Sequence, residues 1–363
     1  MFDLRPSDEQ QMLRESVRDF ALDKLRPAAE QADAECQAPL ELLTQANDLG
    51  LTMVGVPESL GGATEERSAV TAVLMAEALA QGDMGIAVAC LAPAAVSAAI
   101  ALWGDADQQA TYLHEFVSDN VPAAALAVLE PRAVFSPFEL KTRARQDGDD
   151  YILSGTKSLV PRASDAELFI VAAQLEKRPA LFIVESNAGG IGVQAEPAMG
   201  IRAAATGTLT FEDTSVPAGA LLGEGDSEVF EQCVALARLG WCALAVGTGQ
   251  AVLDYVIPYV NERQAFGEPI ANRQGVAFTV ANVGIELEGM RLATYRAAAR
   301  IDHGTSFTRE VALARRLCAE RGMGIGSDGV QLLGGHGYVK EHPIERWYRD
   351  LRAAGVMEGA LLV

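Results

Sequence analysis

A chain of 363 residues, 49% hydrophobic, 21% charged and 6% aromatic, has the composition of an ordinary globular protein, which excludes disordered and fibrous classes. Its 49 acidic against 29 basic side chains give a net charge of −20, which repels nucleic-acid backbones and anionic membrane surfaces. The five cysteines (Cys36, Cys90, Cys233, Cys242, Cys318) stand singly, so neither a disulfide framework nor a zinc site is implied, and a cytoplasmic setting fits.

The first residues lack the basic and apolar regions of a signal peptide, and Ser7 with Gln10 reads as a helix capping box. From there to about Ser118 apolar residues recur at helical spacing, as in Met12, Val17, Phe20 and Leu25. The uncharged stretch Met84–Gly104 approaches the length of a membrane span, but it is alanine-rich and interrupted by Pro93, so buried helices rather than a span are expected. Short β-rich runs follow at Tyr151–Leu153, Leu168–Val171, Ala180–Val184 and Thr208–Phe211, separated by turn signals such as Asp147-Gly148 and Gly189-Gly190. After Val216-Pro217 the helical period returns and is expected to last to about Ala319, before a glycine-rich stretch and a short charged helix. The predicted order is a helical domain over residues 1–120, a β domain over 121–220 and a helical bundle over 221–363, an α+β chain.

Gly324, Gly326 and Gly329 match the dinucleotide glycine pattern, but a helix rather than a strand precedes them, and a Rossmann domain is rejected. His114, His303, His336 and His342 show no zinc-ligand spacing, so no metal site is expected. Two segments are more specific. Arg263, Phe266, Gly267, Pro269 and Gln274 supply a cation for a pyrophosphate, an aromatic face for a flat ring and an amide within one short unit. Gln331, Gly334, Gly335 and Gly337, followed by Glu345, Arg346, Arg349 and Asp350, offer a backbone that a ligand can approach closely beside a charged helix.

With these motifs, the strand exit Phe211–Pro217, the Leu222-Gly223-Glu224 turn and Glu130-Pro131, the sequence resembles the acyl-CoA dehydrogenase family over nearly its whole length. The resemblance implies a helical N-terminal domain, a β-barrel-like middle domain and a C-terminal four-helix bundle, with FAD and an acyl-CoA thioester meeting where they join. It implies a glutamate that removes the α proton while the β hydrogen leaves as hydride, giving a trans-2-enoyl-CoA, with electron-transferring flavoprotein as acceptor. Glu358 is the position-matched base, and burial would raise its pKa toward neutrality. An alternative base position on the first bundle helix is closed by Ala237.

The sequence also departs from the family. The loop that usually carries flavin-side donors reads Leu129 to Ser136 here, Leu159 and Pro161 replace a tryptophan and a threonine, and Ala360 replaces the threonine after the base. In the family those positions serve a subunit's own flavin, whereas the residues resembling Arg263, Phe266, Gln274, Gln331 and Gly335 reach a neighbour's. The resemblance therefore implies a homo- or hetero-oligomer, a dimer of dimers most like the actinobacterial α2β2 enzymes of steroid side-chain breakdown. Either this chain is itself a working dehydrogenase, or it is a weak or inactive partner that completes another chain's FAD site. A flavin-free acyl-CoA binding protein is a third reading. Leu159 in place of tryptophan hints at a roomier acyl pocket.

Overall fold

A computed structural model describes residues 4–62, 65–118 and 120–363; the first three residues of the N-terminal reading lie outside it. The N-terminal domain consists of α1 (Asp8–Phe20), α2 (Arg26–Glu35), α3 (Leu40–Asp48), α4 (Ala69–Ala80), α5 (Met84–Trp103) and α6 (Ala106–Phe116). The Ser7–Gln10 capping box forms as expected. Met84–Trp103 is one continuous helix with Pro93 inside it, packed within the protein.

The middle domain carries β1 (Ala124–Ala127), β2 (Arg143–Asp147), β3 (Asp150–Val160), β4 (Leu168–Leu175), β5 (Arg178–Glu185), β6 (Ile191–Ala195), β7 (Gly207–Val216) and β8 (Leu221–Leu222). They form one mixed sheet in the order β6-β7-β3-β2-β4-β5-β8, with β1 pairing parallel to β4. The four β-rich runs of the sequence all fall on these strands. Ladder β3–β7 pairs Tyr151 with Val216 and Lys157 with Leu209, and its register shifts twice, between Leu153 and Gly155 and between Lys157 and Val160. Such bulges bend a strand and re-aim its side chains; the second delivers Leu159 with φ +51°.

The C-terminal domain consists of α7 (Ser227–Glu262), the hairpin β9 (Gln264–Ala265) and β10 (Glu268–Pro269), α8 (Gln274–Asp302), α9 (Thr308–Leu333), α10 (Ile344–Leu351) and α11 (Ala353–Val356). One expectation fails here. The helical period does not stop near Ala319; α9 runs on through Gly322, Gly324, Gly326 and Gly329 to Leu333. The reason is packing: a Cβ at Gly329 would lie 2.9 Å from Ile344 Cδ1 and one at Gly326 3.1 Å from the Tyr348 backbone, so glycine lets α10 press onto α9. The rejection of a Rossmann loop stands, because its glycines lie inside a helix.

One core joins the N-terminal helices to the bundle, a second joins α5 and α6 to the sheet and to the start of α7, and a third fills the β domain. At the crossing of α4 and α7 a Cβ on Gly247 would stand 2.1 Å from the Glu77 carbonyl oxygen, so only glycine allows that approach. Charged side chains stitch the domains. Asp302 accepts hydrogen bonds from Ser68 Oγ and Ala69 N at the start of α4, Arg349 is bidentate to Asp33, and Arg346 Nε donates to Asp83 at 3.1 Å.

Candidate functional site

Two regions carry the predicted residues, and the fold keeps them apart. The first is an open cleft of ≈ 1030 Å³ where the β9–β10 hairpin faces the end of α9. Arg263 caps α7, and the hairpin closes through Ile270 N donating to the Arg263 carbonyl at 2.9 Å. Its turn is made by Phe266 at φ +57° and Gly267 at φ +85°, which throws the Phe266 ring into solvent at 95% exposure. Arg273 lies over that ring at 5.5 Å and pairs with Glu268 at 3.0 Å. Arg263 is exposed and has no ion pair among the described residues.

Across the cleft, Gln331, Gly334 and Gly335 line the opposite wall. Nothing lies within 4 Å of where a Cβ would stand on either glycine, so their backbone is open to a ligand. Gln274 is exposed at the start of α8, but the cleft wall beside it is Gly275 and Val276. Gly337 is buried instead: a Cβ there would meet the Val330 carbonyl oxygen at 2.2 Å, so this glycine serves packing. Tyr259 and His336, which were not among the candidate ligands, also line it.

The second region is the junction of the β domain with the bundle. Glu130 is almost fully buried and accepts from Lys141 N, Thr142 N and the buried Lys157 Nζ at 3.0 Å. Burial lowers the Lys157 pKa to about 8 against the pull of Glu130. Burial pushes the Glu130 carboxyl up, but Lys157 and the two backbone N–H groups outweigh it and hold its pKa below the ordinary value. In the loop that follows, Arg132 lies 5.2 Å over the Phe135 ring and donates to the Ser136 carbonyl. Arg132 thus braces the altered loop from within. Leu159 lines a neighbouring groove of ≈ 620 Å³ with Met199, Met323, Tyr348, Arg352 and Met357.

Glu358 stands at this junction on a chain segment pinned by Gly359. Gly359 has φ +76°, bridges to Ala127, and accepts from Trp241 Nε1 at 2.9 Å; a Cβ there would lie 2.7 Å from Val128 Cγ2. Two arginines approach its carboxylate. Arg238 on α7 grips Glu358 bidentately, Nη2 to Oε1 at 2.7 Å and Nε to Oε2 at 2.9 Å. Arg315 on α9 lies 3.9 Å away and donates to the Met357 carbonyl, its own pKa lowered by burial against the pull of Glu358. Sequence reasoning missed both arginines. The available signal was a single cation inside the apolar run Cys233–Val246, next to Ala237.

Comparison with known proteins gives one answer along the chain. Family models described as the N-terminal, middle and C-terminal domains of acyl-CoA dehydrogenase match residues 7–120, 125–214 and 227–361. The bovine (Bos taurus) mitochondrial short-chain specific acyl-CoA dehydrogenase is 34% identical over 358 residues, covering 96% of this chain and 86% of its own length. Butyryl-CoA dehydrogenase from Megasphaera elsdenii superposes with a TM-score of 0.90 at 28% identity, covering 98% of this chain and 95% of its own. An FAD complex of PigA superposes equally well, TM-score 0.90 at 25% identity, covering 98% and 95%.

Proposed function

The chain belongs to the acyl-CoA dehydrogenase family, and from that premise we propose that it works in the α,β-dehydrogenation of an acyl-CoA thioester as a subunit of an oligomer whose FAD sites are built across subunit interfaces. The observation that carries this reading is the open cleft, lined by Arg263, Phe266, Gln331, Gly334 and Gly335. The groups present suit FAD. Two uncovered glycines let a backbone approach, Arg263 is free to pair with a diphosphate, and the exposed Phe266 ring offers a face to a flat ring system. The Phe266 ring, 95% exposed with Arg273 lying over it at 5.5 Å, is open to further cover by a partner. A neighbouring subunit bearing the rest of the FAD accounts for the cover, and a dimer of dimers for the assembly.

FAD, when bound, supplies a two-electron acceptor for the hydride that leaves the β carbon. The chain's own part in the chemistry is assigned to Glu358 as the base that takes the α proton. Gly359 fixes the direction of that side chain by its positive φ and its bridge to Ala127. Arg238 holds both carboxylate oxygens, and each keeps a lone pair with which to take the α proton. Electron-transferring flavoprotein is the proposed electron acceptor and the cytoplasm the proposed compartment.

A second reading is favoured by the internally braced Arg132–Phe135 loop and the bidentate hold on Glu358: the chain's own centre is weak or inactive, and it lends Arg263, Phe266 and Gln331 to a different dehydrogenase chain. Flavin absorbance per polypeptide, for the chain expressed alone and with a co-purifying subunit, separates the two. One flavin on every chain alone supports a self-sufficient enzyme; flavin that appears only with the partner, on no more than half of all chains, supports lending; no flavin in either preparation defeats both.

A further inference from the structure

His336 lines the cleft and is exposed, with Nδ1 2.9 Å from Tyr259 Oη. The Tyr259 hydroxyl also lies 3.2 Å from the Leu333 carbonyl oxygen. A phenol has one hydrogen and a carbonyl can only accept, so with that hydrogen given to Leu333, His336 Nδ1 is the N–H donor to Tyr259. Nε2 is then the nitrogen that gains or loses a proton, and it has no hydrogen bond among the described residues. The His342 ring stacks on His336, centroids 5.2 Å apart and 16° from parallel, and its Nδ1 is held by Tyr255 Oη at 2.7 Å. His342 is half-buried, edge-on to both Tyr255 and Tyr259 at 6.0 Å, whereas His336 opens onto the cleft.

We propose that His336 is a proton-dependent anion ligand of the cleft: protonated on Nε2, it joins Arg263 in holding the diphosphate of the bound dinucleotide. This rests on the reading that the cleft holds FAD. The charged and titratable groups around it are Tyr255 and Tyr259 from α7, Arg263 at the end of α7, Arg273 ahead of α8, Tyr338 on its own turn and His342 in the stack. An anion held against Nε2 favours the charged imidazole. Ligand binding therefore favours the proton, and affinity rises as pH falls through the imidazole range.

The experiment is calorimetric titration of FAD into the full chain, with any subunit that co-purifies, at about pH 6 and about pH 8.5. The diphosphate diester of FAD keeps its charge across that range, so a pH effect belongs to the protein. The expected result is about tenfold tighter binding at the lower pH, equivalent to one unit of linked pKa, with net proton uptake seen on changing buffer. His336→Gln is expected to keep the affinity of the upper pH and to lose the pH dependence. His342→Phe, which keeps a stacked ring beside His336, is expected to keep the pH dependence, and its loss would overturn the assignment of that dependence to His336. A pH-independent wild type, or a His336→Gln protein with the wild-type pH dependence, overturns the proposal while leaving FAD in the cleft. Absence of FAD binding at both pH values in a folded protein overturns the cleft reading as well.

Discussion

The bundle cleft and the β-domain junction contain similar chemistry, cations, carboxylates and aromatic rings, but they spend it differently. At the junction the carboxylates and their cations are paired inside the chain, Glu130 with Lys157 and Glu358 with Arg238, and Arg132 lies over Phe135, although Arg132 Nε and Arg315 Nη1 have no hydrogen-bond partner among the described residues. In the cleft Arg263 and Phe266 face water, and two glycines leave their backbone uncovered. Buried polar groups must find partners within the fold, whereas an exposed constellation can remain unsatisfied at little cost until a ligand arrives. The difference teaches that satisfaction, more than residue type, separates a region that holds the fold from one prepared for a partner.

The sharpest way to break the comparison is Glu358→Gln. If Glu358 is the base of its own centre, kcat of the assembled oligomer falls by about 10²–10⁴-fold with flavin content unchanged; full turnover measured in the same assay places all catalysis on other chains. Next comes Lys157→Ala, which strands the buried Glu130 carboxylate. Removing one partner of a buried pair costs about 3–5 kcal/mol, read as a lower denaturant midpoint, and a loss below about 1 kcal/mol would show that water reaches Glu130. Phe266→Ala leaves stability unchanged, because the ring is 95% exposed in the chain. It is expected to cost about 1.5–3 kcal/mol of FAD retention in the oligomer, the value of burying that ring, measured by flavin loss on dilution.

A further effect is a slope with pH. Asp350 is buried beside Asp83, accepts from Ile201 N at 2.6 Å, and has its pKa pushed up to about 8 by burial first and by the Asp83 charge second. In the unfolded chain the same carboxyl titrates near its ordinary value of about 4. Between those values the native state keeps a proton that the unfolded state has lost. Stability therefore falls as pH rises from about 4 to about 8, by up to roughly 1.4 kcal/mol per pH unit. Asp350→Asn, neutral at every pH, is expected to flatten that part of a stability-against-pH curve; an unchanged slope would assign it to Asp83 or another group.

Periodicity, turn residues and composition by themselves determined the α, β, α order, the capping box at Ser7, the burial of Met84–Trp103 and the strands around Phe169, Phe182 and Phe211. These are local or pattern properties, fixed by side-chain spacing along the chain. The motif residues Arg263, Phe266, Gln331, Gly334 and Gly335 were legible for the same reason, since hairpin and helix end bring them together from two short segments. What only the tertiary structure decided depends on partners far apart in sequence. It assigned Gly337 to packing against Val330, carried α9 through its glycines beneath α10, and set Arg238, 120 positions away, on Glu358. It also joined Tyr259 to His336 and His342. No spacing rule encodes such pairings, because helix crossings and strand bulges, not chain distance, determine which charges meet and which are left facing water.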